Sequence, residues 1–183
     1  MTKLRCVERL VSEHREAERQ LIKLQISIED APPQQSGSVQ SHETPEQLAE
    51  AFRNHLRLHL RKEDEVLFPL LERIFPGDAS PLVVMSKEHE KINEAYEMLL
   101  LSLSEQHPAA FGTGLPKSSR SIRSLLQITL THFGKEEEIL FPAAELHLTQ
   151  EEDRQVLQKW EGFSGNSTNS LTLNGTLGAE SLI

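Results

Sequence analysis

Apolar residues recur in alternating steps of three and four along most of this chain, the spacing that lines one face of an α-helix. Four long seams of this kind stand out. The first, Val7, Leu10, His14, Ala17, Leu21, Leu24 and Ile28, predicts a helix from about Thr2 to Glu29. A Pro-, Gln- and Ser-rich break follows at Ala31 to Ser38. Thr44-Pro45, a capping residue and a proline at the first helical position, opens the second helix, which is expected to reach about Phe75 with Leu48, Phe52, His55, His59, Glu63, Val66 and Leu70 on its seam. Ser80-Pro81 gives the same start signal for the third, whose seam is Leu82, Met85, His89, Ile92, Tyr96, Leu99 and Leu103. The fourth is predicted from about Lys117 to Leu146, with Ile122, Leu125, Thr129, His132, Glu136, Ile139, Ala143 and Leu146 on its seam. Thr149 and Glu152 form a capping box for a short fifth helix that fades after Trp160. No strand pattern precedes residue 162, so the expected fold is all-α: an antiparallel up-down-up-down four-helix bundle with a short C-terminal fifth helix, spanning 1–161. Residues 162–183, rich in Ser, Asn, Thr and Gly, are expected to form a disordered polar tail.

The seams are not uniformly apolar. Each carries a histidine near its middle (His14, His59, His89, His132), and two carry a glutamate one turn further on (Glu63, Glu136). In an antiparallel bundle these six groups meet at one depth. A lone histidine on an apolar face is usually a hydrogen-bonded core residue. His-x-x-x-Glu is also weak evidence, since it occurs five times here, at His14, His42, His59, His132 and His147. An internal repeat raises two of these occurrences above the rest. The stretch His59-Leu-Arg-Lys-Glu-Asp-Glu-Val-Leu-Phe-Pro69 returns as His132-Phe-Gly-Lys-Glu-Glu-Glu-Ile-Leu-Phe-Pro142, an offset of 73 residues. Glu13-His14 returns as Glu88-His89, an offset of 75. Two copies of a helical hairpin each deliver His and His-x-x-x-Glu.

Burying carboxylates without partners costs several kcal/mol each, a heavy load on a domain stable by only about 5–15 kcal/mol. Cations at the centre reverse that sign. Imidazole and carboxylate suit iron, manganese and zinc, and residues at i and i+4 project from one helix face. Four histidines and two glutamates fit a pair of metals better than one. Two histidines and two bridging carboxylates give each ion about four protein contacts, with a position left for a small ligand.

Composition narrows the alternatives. The chain has 183 residues, 37% hydrophobic and 26% charged, with a net charge of −9, which argues against a nucleic-acid backbone or an anionic membrane as partner. A single cysteine, Cys6, excludes an intramolecular disulfide, a cysteine-rich zinc site and a Cys-ligated iron–sulfur cluster. His-Glu-x-x-His, a phosphate-binding glycine loop and a Gly-x-Ser-x-Gly elbow are all absent. With no membrane span or secretory leader in the sequence, a cytoplasmic setting is the expectation.

On His14, His59 to Pro69, His89 and His132 to Pro142, the sequence resembles the hemerythrin-like family of HHE cation-binding domains over roughly residues 4 to 146. The resemblance implies a four-helix bundle around a non-haem di-iron centre, two iron ions with an oxo or hydroxo bridge, held by His14, His59, Glu63, His89, His132 and Glu136 with the glutamates bridging; zinc or manganese are the alternative ions. The oxygen carriers of that superfamily use a fifth histidine, in a His-x-x-x-His pair on the third helix. Here Met85 and Asn93 flank His89 at that spacing, and in this the chain is closer to the iron-repair and iron-sensing domains.

Three functions follow as expectations: a di-iron protein that binds or reduces dioxygen, nitric oxide or peroxide; an iron-handling, iron-sensing or iron-centre repair module; or a helical interaction protein whose polar layer sets register. Whether a substrate is turned over is left open, as is the protein partner that the second reading would regulate. His55, Tyr96 and Glu18 are secondary candidates for the site. His42, His107 and His147 read as surface residues, and Cys6 as a packing residue. Pro69 and Pro142 each remove a helical hydrogen bond, so a bend is expected at each.

Overall fold

The computed structural model describes residues 3–29, 43–105 and 117–165. The long helices are α1 (Arg5–Glu29), α2 (Pro45–Lys62), α4 (Pro81–Ser104) and α5 (Lys117–Lys135). α2 runs through a π-helical turn, Glu63–Leu67, into the short α3 (Phe68–Leu71). α5 runs through a second, Glu136–Leu140, into α6 (Phe141–His147). The C-terminal helix α7 is Gln150–Gly165.

The starts follow the caps read from the sequence. Thr44 Oγ1 accepts from the Gln47 N–H at 3.3 Å while Gln47 Oε1 accepts from the Thr44 N–H at 2.9 Å. Ser80 Oγ accepts from the Leu82 N–H at 3.1 Å, and Thr149 and Glu152 close the third cap reciprocally.

Ion pairs at the two ends of each interface fix the antiparallel order. α1 meets α2 through Lys62 and Glu13, with Lys23 and Glu43 at the other end. α4 meets α5 through Lys117–Glu105 (3.0 Å) and Lys135 with Glu88. α1 meets α5 through Arg123–Glu29 (2.7 Å) and Arg15–Glu137 (2.6 Å). The bundle is therefore all-α and up-down-up-down, as expected.

Its interior has two oily halves. One, including Leu21, Leu24, Phe52, Ile92, Leu99 and Leu125, fills the end where α1 finishes. The other, including Leu4, Leu10, Leu67, Leu71, Leu140 and Trp160, fills the opposite end. Between them lies the polar layer.

Two departures from the sequence reading matter. At each proline the disturbance takes the form of a widened turn before it: the Phe68 N–H donates to the Glu63 carbonyl and the Phe141 N–H to the Glu136 carbonyl, i to i+5 bonds. In an α-helix Pro69 and Pro142 would clash with the carbonyls four residues back, and the re-phased ladder accommodates them. The fifth helix also continues past Trp160 to Gly165, because it is part of the core. Val156 and Trp160 are fully buried, and the Trp160 indole N–H donates to the Lys62 carbonyl at 3.2 Å. Asp153, buried, accepts from the Arg5 and Cys6 N–H groups at 3.2 and 2.8 Å and so caps α1 from the far end of the chain. Beyond Gly165 the expected tail lies outside the described residues, as do His42 and His107. Among the described residues no helix is long and apolar enough to cross a membrane.

Candidate metal centre

Regular helix through α1 and α4, and the onset of each π turn on the other two, bring all six sequence-selected side chains into the polar layer. His14, His59, Glu63, His89, His132 and Glu136 are all buried. They form two groups that share both glutamates: His14, His59, Glu63, Glu136, and His89, His132, Glu63, Glu136, with the ligand atoms of each group within 4.8 Å of one another.

Within the first group, His14 Nε2 lies 3.1 Å from His59 Nε2 and 3.2 Å from Glu136 Oε2, and His59 Nε2 lies 3.3 Å from Glu63 Oε1. Within the second, His89 Nε2 lies 3.1 Å from His132 Nε2 and 3.6 Å from Glu63 Oε2, and His132 Nε2 lies 3.1 Å from Glu136 Oε1. Each glutamate thus turns one oxygen toward each histidine pair.

The outer nitrogen of every ring is held by a further carboxylate. His14 Nδ1 is 2.9 Å from Glu137, His59 Nδ1 is 3.2 Å from Glu13, His89 Nδ1 is 3.0 Å from both oxygens of Asp64, and His132 Nδ1 is 3.3 Å from Glu88. An acceptor at each Nδ1 favours a proton there, which in the neutral ring leaves the Nε2 lone pair pointing inward. Lys62 and Lys135 in turn donate to Glu13 and Glu88. The arrangement repeats in both hairpins: Glu13, Lys62 and Glu63 correspond to Glu88, Lys135 and Glu136.

Aromatic rings wall the layer. Phe133 stacks on His14 at 3.9 Å between centroids, with Phe141 at 5.4 Å, and Phe68 stacks on His89 at 5.5 Å.

The electrostatics of the metal-free chain register how unusual this is. Burial, and then the charge of Glu136, hold the Glu63 carboxyl well above the ordinary carboxylate range. Burial also opposes ionisation of Glu136, but the neighbouring His132, His14 and His89 outweigh it and hold that carboxyl well below. Burial pushes His59 down to about 4. For His89 burial acts the same way, yet Asp64 and Glu136 overcome it and raise the ring to about 9. Burial likewise opposes Glu13, but its bonds with His59 and Lys62 bring it down to about 2.

The donor set fits a metal. All four oxygens of Glu63 and Glu136 are buried without a hydrogen-bond partner, because the nearby imidazole nitrogens are close but not aimed along a bond. Lone pairs of two imidazoles and two carboxylates facing one another at 3.1 to 3.8 Å repel unless a proton or cation lies among them. Imidazole nitrogen and carboxylate oxygen are ligands for iron, manganese and zinc, and imidazoles anchored at Nδ1 by carboxylates are the usual outer support of such ions.

The secondary candidates go elsewhere. His55 Nε2 meets the Glu13 carbonyl at 3.0 Å, the Tyr96 hydroxyl donates to the Ala49 carbonyl at 3.2 Å, and Glu18 pairs weakly with Arg15 at 4.0 Å on the surface. His147 is exposed, and Cys6 is buried beside Asp153, burial and that carboxylate raising its thiol. The supporting carboxylates Asp64 and Glu137 were missed by sequence reasoning. Their signal was the repeat itself, which places an acid immediately after each buried glutamate. Thr129, one turn before His132, also buries a hydroxyl with no hydrogen-bond partner.

The comparison with curated proteins found no match, and neither did the comparison with solved structures. The family model described as the hemerythrin HHE cation-binding domain matches residues 6–115 and again 84–181. The two stretches overlap across much of α4, and each begins at a helix bearing one copy of the repeated Glu-His pair. Together they span nearly the whole chain, and with its buried cluster of histidines and glutamates placed to bind metal, the chain belongs to the hemerythrin family of HHE cation-binding domains.

Proposed function

We propose that the chain is a non-haem di-iron protein that binds or reduces a small oxidant (dioxygen, nitric oxide or peroxide) at an open metal position. The observation that carries this reading is the sharing of Glu63 and Glu136, each with one oxygen toward His14 and His59 and the other toward His89 and His132. One ion in either group would meet four of the eight donor atoms and leave the other four unused. His14 and His59 would hold one iron and His89 and His132 the other, with the glutamates spanning both. Two iron ions there would supply one-electron chemistry and a position open to a small ligand. The chain itself does the rest. Glu13, Asp64, Glu88 and Glu137 keep the Nδ1 protons in place, Lys62 and Lys135 offset the charge of Glu13 and Glu88, and Phe68, Phe133 and Phe141 exclude water.

A second reading, an iron-sensing, iron-handling or iron-centre repair module, is favoured by one contact. Trp160 of α7 donates to the carbonyl of Lys62, the residue before Glu63, which ties the C-terminal helix to the metal layer.

Metal analysis and an optical spectrum of freshly purified protein test the proposal. It expects about two irons per chain, the ions such N/O donors favour, and charge-transfer bands that change on adding nitric oxide or peroxide. Iron-dependent resistance to protease at α7, without oxidant-sensitive bands, selects the second reading. Melting that is unchanged by a chelator overturns both.

A further inference from the structure

The hairpin repeat makes the two histidine pairs equivalent in sequence position, so the places where the halves differ carry information. Three differences point the same way.

The first concerns the carboxylates on the first histidine of each pair. Glu137, which holds His14, is clamped by Arg15 at 2.6 Å. The repeat puts Glu90 where Arg15 stands, and among the described residues Asp64, which holds His89, has no cationic partner. Asp64 is 42% exposed against 24% for Glu137.

The second concerns the lysines behind the other carboxylates. Lys62 is 2% exposed, lying 5.6 Å from the centre of the Trp160 ring beneath α7. Its counterpart Lys135 is 39% exposed.

The third is aromatic cover. Phe133 stacks on His14, but the repeat has Leu60 in its place. Among the described residues His89 has a stacked ring on one side alone, Phe68. Outside Phe68 lies a cleft of about 360 Å³ lined by Asp64, Phe68, Glu72, Leu82, Lys87 and Glu90. Its lining thus includes the two side chains that hold and cover His89.

We propose that the two metal positions are inequivalent: the His14/His59 position is insulated and retentive, while the His89/His132 position exchanges its divalent cation through the cleft at Asp64, with Asp64 as the positioning residue that sets the rate. This rests on the two-ion reading above. The geometry supports it because release of an ion requires the histidine to swing. His89 is tethered by a solvated, unclamped aspartate, whereas His14 is tethered by a carboxylate fixed to Arg15 and pinned under Phe133. Glu90 lines the cleft where the other half has Arg15, and with Asp64 and Glu72 it outweighs Lys87, which stands in place of Ser12, so the lining is net negative and favours a cation in transit.

The test uses the full chain loaded with iron(II) under anaerobic conditions and a chromogenic iron(II) chelator in excess, reading released ion per chain against time. Two phases of one ion each are expected, separated by at least about tenfold (~1.4 kcal/mol in barrier). Asp64→Asn should speed the fast phase alone, Glu90→Arg, at an exposed position, should slow it, and Arg15→Ala should speed the slow phase alone. Two ions leaving in one phase, an Asp64→Asn effect on the slow phase, or a fast phase indifferent to both Asp64→Asn and Glu90→Arg overturns the proposal while the two-ion reading stands. Loading that saturates at one ion per chain refutes that reading and the inequivalence together.

Discussion

Replacing Glu63 by glutamine should have opposite effects on stability with and without metal. The side chain is fully buried, neither oxygen has a hydrogen-bond partner, and the nearest imidazole nitrogens stand 3.3 and 3.6 Å away without aiming at it. A buried polar group in that condition costs about 1–3 kcal/mol, and more when charged. Glutamine keeps the volume, is as neutral as the raised Glu63 carboxyl of the metal-free chain, and brings an amide able to donate to Glu136. In excess chelator the variant should therefore be more stable than the parent by about 2 kcal/mol, a rise in Tm of about 4–8 °C for a chain of this size. With iron the order should reverse. A ligand that binds only the native state adds about 2.7 kcal/mol at a hundred times its Kd and about 4.1 at a thousand times. Glutamine is a poor substitute for a shared carboxylate, so most of that gain should be lost; set against the variant's own gain of about 2 kcal/mol, this leaves it about 1–2 kcal/mol, or about 2–8 °C, below the loaded parent. Helical circular dichroism during thermal melts, in chelator and in iron(II), measures both. A variant less stable than the parent in chelator as well would show that the Glu63 carboxylate is a structural acceptor, and the idea that the polar layer exists to meet a cation would fail.

Three further outcomes follow. Glu136→Ala should lose iron and thermal stability together, while His147→Ala, at an exposed position outside the cluster, should lose neither; atomic absorption and melting on the same preparations decide. The metal-free chain should lose stability as pH falls from about 6.5 to 4, because unfolding lets His59 take up a proton that its folded pKa of about 4 refuses, and again as pH falls from the ordinary carboxylate value toward the Glu13 pKa of about 2. The raised carboxyl of Glu63 works in the opposite sense, removing stability as pH rises above its unfolded value, so urea midpoints against pH should pass through a maximum, and a monotonic profile would contradict these assignments. Trp160→Ala should cost about 3–5 kcal/mol as a buried aromatic truncation, and Asp153→Ala about 0.5–2 kcal/mol as the loss of a helix cap; urea unfolding reads both, and a negligible Trp160→Ala effect would mean that α7 is not part of the folded unit.

The sequence made the four seams and the six central residues legible because both obey local rules: a step of three or four residues places a side chain on the inner face, and the hairpin repeat singled out His59, Glu63, His132 and Glu136 from the chance pairs at His42 and His147. What it hid was set by contacts distant along the chain. Asp153 caps α1 from 147 residues away, and nothing local distinguishes it from Glu151. Glu13, Asp64, Glu88 and Glu137 carried no sign of a role at the site because each lies off its seam, beside a central residue, and their purpose shows only when a ring nitrogen from another helix arrives. His55 and Tyr96 lie on the seams yet serve backbone carbonyls. Their helical phase is right, but their level along the bundle is not. The widened turns at Glu63 and Glu136 were hidden because Pro69 and Pro142 announce a break in the ladder without saying how the backbone will absorb it.

Those two turns also say how the bundle reconciles its parts. An i to i+5 loop is equivalent to one surplus residue in an otherwise regular helix, so two of the four staves carry an extra unit at the level of the glutamates and two do not. Closing either turn into regular α-helix without removing a residue would swing everything beyond it by about 100°, an α-helical step. Phe68 or Phe141 would then leave its histidine. The framework is in this sense a vernier, in which a deliberate miscount on opposite staves aligns two oily ends that a uniform helical pitch would leave out of phase.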